Sequence, residues 1–153
     1  MPGRNRLSDR TRTEGSLRKE IAAGAASGYG VVAASCPGEI VVVMEKGAAD
    51  ATSKEYLILD SMRIGKLQRD IAEAAARGLR AIPRAFISYS ITNVAIMEKG
   101  PSKTSAYEYV ILETQKSSTL QKKMGEVTGQ GFRPVAMNAS RTLLLEKTRT
   151  TVY

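Results

Sequence analysis

A leucine, at Leu17, Leu67 and Leu120, is followed eleven residues later by a glycine, at Gly28, Gly78 and Gly131. Four residues after each leucine stands Ile21, Ile71 or Met124, and directly after each glycine stands Tyr29, Leu79 or Phe132. Each copy closes on an apolar run ending in Glu-Lys, at Glu45-Lys46, Glu98-Lys99 and Glu146-Lys147. The apolar runs Tyr56–Asp60 and Tyr109–Glu113 each begin eleven residues before their helix leucine. Identical spacing in three copies is the mark of an internal repeat. The units are residues 1–50, 51–103 and 104–153, and the first is degenerate: its opening segment, Arg6-Leu7-Ser8-Asp9, has lost most of the apolar run.

Each unit reads as β-α-β-β. The first helix is expected over about Ser16 to Ser27, with Leu17, Ile21 and Ala25 on one stripe and Gly28 ending it in the left-handed region. Gly78 and Gly131 are expected to end the other two helices in the same way. The third helix, with Gly125 and Gly129 inside it, is expected to be the least regular. From turn glycine to Glu-Lys the units run 17, 20 and 15 residues, a difference expected in the hairpin loop. The closing runs Val41–Met44 and Leu143–Leu145 are apolar throughout, as strands buried on both faces are. One helix covers one face, so another unit or another chain must cover the other. These readings imply an α+β protein forming one compact domain. Its three antiparallel-rich sheets are expected inside, about a pseudo-threefold axis, with the helices outside.

The third unit resembles a small bacterial family of unknown function, number four-one-seven-seven. The resemblance rests on Tyr109-Val110-Ile111-Leu112, Leu120, Met124, Gly131-Phe132 and the closing Leu143–Lys147. The second unit matches through Tyr56–Leu59, Leu67, Ile71, Gly78-Leu79 and Glu98-Lys99. The Gly-Trp-Glu typical of that family's turn is replaced by Gly-Tyr-Gly, Gly-Leu-Arg and Gly-Phe-Arg. The shared residues are packing residues, so the resemblance implies a fold and carries no catalytic residue.

Chemistry is sparse. The chain has no histidine, which removes the usual general base, the Ser-His nucleophile pair and the commonest metal ligand. Its one cysteine, Cys36, can build neither an intramolecular disulfide nor a thiolate metal site. No run approaches the length of a transmembrane helix. The opening residues lack a signal-peptide core, so a native N-terminus implies the cytoplasm and a removed signal implies export. The formal charge of +8 is spread as +1, +4 and +3 over the three units.

Two polar constellations stand out. Glu45, Lys46, Glu98, Lys99, Glu146 and Lys147 would form a symmetric ring about a threefold axis, or else solvated strand ends with weak ion pairs. Arg4, Arg6, Arg10 and Arg12 would form a phosphate-touching arm, or a plain solvated one without aromatic residues to stack on bases. The expectation is a non-enzymatic binding or scaffold module, with no cofactor or metal, acting through a protein partner or self-association rather than a membrane. A basic nucleic-acid-binding protein is the alternative. A weaker one is a small-ligand binder or enzyme using a pocket between repeats.

Overall fold

The computed structural model describes residues 4–9, 14–36, 40–46, 55–89, 91–99, 105–113 and 117–150. The first unit comprises β1 (Arg4–Asp9), α1 (Glu14–Ala26), β2 (Tyr29–Ser35) and β3 (Ile40–Lys46). The second comprises β4 (Glu55–Ser61), α2 (Ile64–Ala76), β5 (Leu79–Tyr89) and β6 (Thr92–Lys99). The third comprises β7 (Ser105–Glu113), α3 (Ser117–Gly129), β8 (Arg133–Met137) and β9 (Thr142–Thr150). Each unit makes its own antiparallel three-stranded sheet, with the closing strand at the centre: β1-β3-β2, β4-β6-β5 and β7-β9-β8. The protein is α+β.

The turn glycines do what their spacing requires. Gly28, Gly78 and Gly131 have φ of 88°, 94° and 97°. The end of α3 is a complete Schellman motif, with Gly131 N–H donating to Thr128 and Phe132 N–H donating to Val127. Gly28 and Gly78 donate in the same way to Ala25 and Ala75. Leu17, Ile21 and Ala25 are buried on α1, and Leu67, Ile71 and Ala75 on α2. On α3, Val127 is buried and Thr128 faces solvent. Despite its two glycines, α3 is 13 residues long, as are α1 and α2. The Schellman turn and the Leu120, Met124 and Val127 contacts with the sheet hold it in register.

The length differences lie elsewhere than expected. All three second strands bulge three residues after the turn glycine, next to Val31, Ala81 and Pro134. In β5 the bulge carries the surplus, Ile82 to Ala85, while the turn to β6 is tight. An edge strand accommodates such a bulge because only one side of it is paired. Pro83 sits in it at no loss to the ladder.

How the units pack corrects the closed arrangement. The face of β6 bearing Ala95 and Met97 packs on α2, in a core shared with Tyr109, Ile111 and Leu144 of the third sheet. The face bearing Val94 and Ile96 packs on Leu17, Ile21, Val42 and Met44 of the first unit. The remaining core joins Leu112, Leu143 and Leu145 to α3. Among the described residues no core cluster joins the first unit to the third. The layers therefore run in series: first sheet, α1, second sheet, α2, third sheet, α3. Two helices lie between sheets rather than outside them, and their small residues let the next sheet approach. The edges β2, β5 and β8 converge in this stack, and the helices wedge apart the opposite edges.

A Cβ added at Gly78 meets nothing within 4 Å, so its burden is backbone strain alone. Gly78→Val is expected to destabilise by more than about 1 kcal/mol. Gly125→Ala, inside α3 and also in open space, is expected to stabilise by about 1 kcal/mol. Urea denaturation of both variants measures the contrast.

Candidate functional site

The densest polar chemistry lies at the junction of the second and third units. Tyr109 on β7 is opposite Glu146 on β9, and Glu146 is opposite Arg133 on β8. Glu146 is 1 % exposed, in the row of apolar residues that the closing strand turns inward. Its carboxylate is held from two units. Arg80, at the start of β5, donates from Nε and Nη2 to Oε2 and Oε1 at 3.1 and 3.0 Å. Tyr109 donates its hydroxyl to Oε2 at 2.7 Å. Arg133 lies at 3.9 Å. The Tyr109 hydroxyl in turn accepts from Ala81 N–H at 2.9 Å. The Arg80 guanidinium stacks over the Tyr107 ring at 4.5 Å.

Burial, and then the bond to Glu146, push the Tyr109 phenol far above its ordinary range, although the Ala81 N–H pulls the other way. Its bond to Glu146, more than burial opposes, raises the Arg80 guanidinium. Tyr109 thus stays a proton donor, Arg80 a cation, and the carboxylate is compensated where a lone buried charge would be prohibitive.

Three further hydrogen bonds cross this junction. Gln68 on α2 donates to Tyr109 O and accepts from Ile111 N–H at 2.7 Å, so one side chain caps the open edge of β7. Buried Asn138 donates to Asn93 of β6 at 2.7 Å, while its own Oδ1 accepts from Ser140 and Thr142 N–H. At the junction of the first and second units, Arg18 donates to Ile58 O at 2.7 Å and Tyr56 accepts from Val31 N–H at 2.9 Å. A cleft of about 250 Å³ opens there between α1 and β4, lined by Arg18, Ala22, Ala26, Glu55, Tyr56 and Ile58, among others.

The expected ring does not describe these residues. Glu45, Glu98 and Glu146 are carried by three successive sheets, and Glu146 bonds to Arg80 and Tyr109. Lys46 is exposed, Lys99 is half-buried, and Lys147 places its ammonium 5.7 Å from the Phe132 ring. Arg4 and Arg6 belong to β1, where they pair with Glu45 and Val43. Arg10 and Arg12 lie outside the described residues. Among the described residues no three acidic or thiol groups gather as a metal site, and no helix is long and apolar enough to cross a membrane.

Sequence reasoning missed Arg80, Gln68, Asn93 and Asn138, and read Tyr109 only as strand. The available signal was positional: Tyr56 and Tyr109 share one place in the repeat, and Arg18, Gln68 and Gln121 share another. The chain matches no protein-family model, and no curated protein and no solved structure matches it either.

Tyr109→Phe leaves Ala81 N–H and Glu146 short of a partner and is expected to destabilise by about 1–3 kcal/mol. The alkaline limb tests the same bond. A phenol raised in the folded state stabilises below its unfolded pKa of about 10, and that contribution is lost as pH rises above it. Stability is therefore expected to fall above about pH 10, less steeply in Tyr109→Phe. Tyrosinate absorbance should show one tyrosine ionising only with unfolding, and that step should vanish in the variant.

Proposed function

We propose that this chain is a non-enzymatic binding or scaffold module that presents its surfaces to a protein partner. The observation that carries the reading is where the unusual polar groups lie. Tyr109 and Glu146 are buried at a unit junction and bonded to each other and to Arg80 at its rim, away from the open cleft. A catalytic acid or base needs reach to a substrate atom, and these groups spend their bonding on holding two units together. In the cleft between α1 and β4, Arg18 already donates to a strand carbonyl. The residues in which the second and third units resemble the unknown-function family are packing residues, which fits this reading.

One observation favours nucleic acid as a second reading. Lys19, Arg69 and Lys122 occupy the same helix position in the three units, and all are exposed. They recur once in each layer of the serial stack. Three cations give few phosphate contacts, and affinity resting on few contacts is slight near physiological salt.

Fluorescence anisotropy with labelled single-stranded and duplex oligonucleotides separates the two. The scaffold reading expects no complex tighter than about micromolar at about 150 mM salt, within the range of non-specific binding. A submicromolar, sequence-selective complex, abolished by replacing Lys19, Arg69 and Lys122 with glutamate, would establish the second reading instead.

A further inference from the structure

The two unit junctions use one docking pattern, and both ends of the stack lack their half of it. At each junction a strand amide donates to a tyrosine hydroxyl of the next unit: Val31 to Tyr56, and Ala81 to Tyr109, both at 2.9 Å. Val31 and Ala81 each stand three residues after a turn glycine, and both tyrosines stand eleven residues before a helix leucine. The residue after the helix leucine reaches the edge strand of the next unit, Arg18 to Ile58 and Gln68 to Tyr109 and Ile111.

A fourth layer would need the same groups from the third unit. Three residues after Gly131 stands Pro134, which has no N–H to donate. Ile64 and Ala75 of α2 pack into the second junction, and their counterparts on α3 are Ser117 and Thr128. Thr128 is exposed and returns its hydroxyl to Met124 O. Gln121 keeps the position of Gln68 but has neither the amide nor the apolar neighbours that accompany it. At the other end, the place of Tyr56 and Tyr109 is held by Arg6, and that of Ile58 and Ile111 by Ser8. By register Arg6 and Ser8 lie opposite Val43 and Val41 of the central strand.

We infer that the first and third units are terminal caps, and that the occupant their outer faces exclude is a second copy of this chain. A head-to-tail interface that does not close on itself propagates into filaments unless its ends are blocked, and stacked repeats need polar outer faces at both ends. The loss is distributed: the first unit lacks the tyrosine acceptor and the third lacks the amide donor. Repairing one end alone therefore leaves nothing for it to meet. This inference stands apart from the scaffold reading, because it concerns self-stacking and holds whatever partner the other surfaces take.

Sedimentation velocity of the full chain tests it. Over roughly a hundredfold range of concentration the wild-type chain should remain one species of monomer mass. Arg6→Tyr with Ser8→Ile should also be monomeric, as should Pro134→Ala with Thr128→Ala. An equimolar mixture of those two repaired proteins should give a species of twice the mass. A wild-type chain whose mass grows with concentration would overturn the inference, and so would a mixture of folded variants that stays monomeric. Should a repaired variant lose its folded circular-dichroism spectrum, the wild-type series decides alone.

Discussion

A strand buried on both faces needs two covers, and a β-α-β-β unit brings one helix. The rest of the structure follows from that shortfall. The central strand β6 meets its own α2 on one face and the first unit on the other. The third sheet meets α2 on the Tyr109, Ile111 and Leu144 face and α3 on the Leu112 and Leu145 face. Each inner helix thus serves two sheets, and a series of layers satisfies the constraint as fully as a closed ring would. Among the described residues, the first sheet is the one with no helix on the face turned from α1. Its opening strand is the one that lost its apolar run.

Packing of this kind does not fix how adjacent layers align, since apolar contact is non-directional. The polar groups at the junctions supply direction. Gln68 bonds to both a carbonyl and an amide of β7, which sets α2 against that strand at a definite register. Glu146 is bound by Arg80 from the unit before it and by Tyr109 from its own sheet. Breaking one partner of such a cluster is more damaging than its net contribution suggests, because the carboxylate stays buried.

Much of the fold was legible in the sequence, and the boundary is physical. The turn glycines, the stripes of the first two helices and the doubly apolar strands are local signals, and the structure has them where the spacing puts them, whereas on α3 the spacing points to Thr128 and the buried residue is Val127. Serial order was not legible, because a doubly buried strand shows that a second cover exists and not which element supplies it. Reading Glu45, Glu98 and Glu146 as a ring followed from assuming a closed axis. Arg80 and Gln68 looked like ordinary surface residues of an edge strand and a helix, and only the stacking brings them to Glu146 and β7. Asn93 and Asn138, 45 residues apart, pair inside the core without any sequence pattern to announce it.

Amide hydrogen exchange at Ile111 tests the serial stack most directly. Ile111 lies on β7, an edge strand, and its N–H is bonded to the Gln68 side chain of α2. Slow exchange is expected at Ile111 in the wild-type protein and a selective acceleration there in Gln68→Ala, with the amides of β6 unchanged. An Ile111 amide that exchanges at the same rate with and without the Gln68 side chain would contradict the placement of α2 between the second and third sheets.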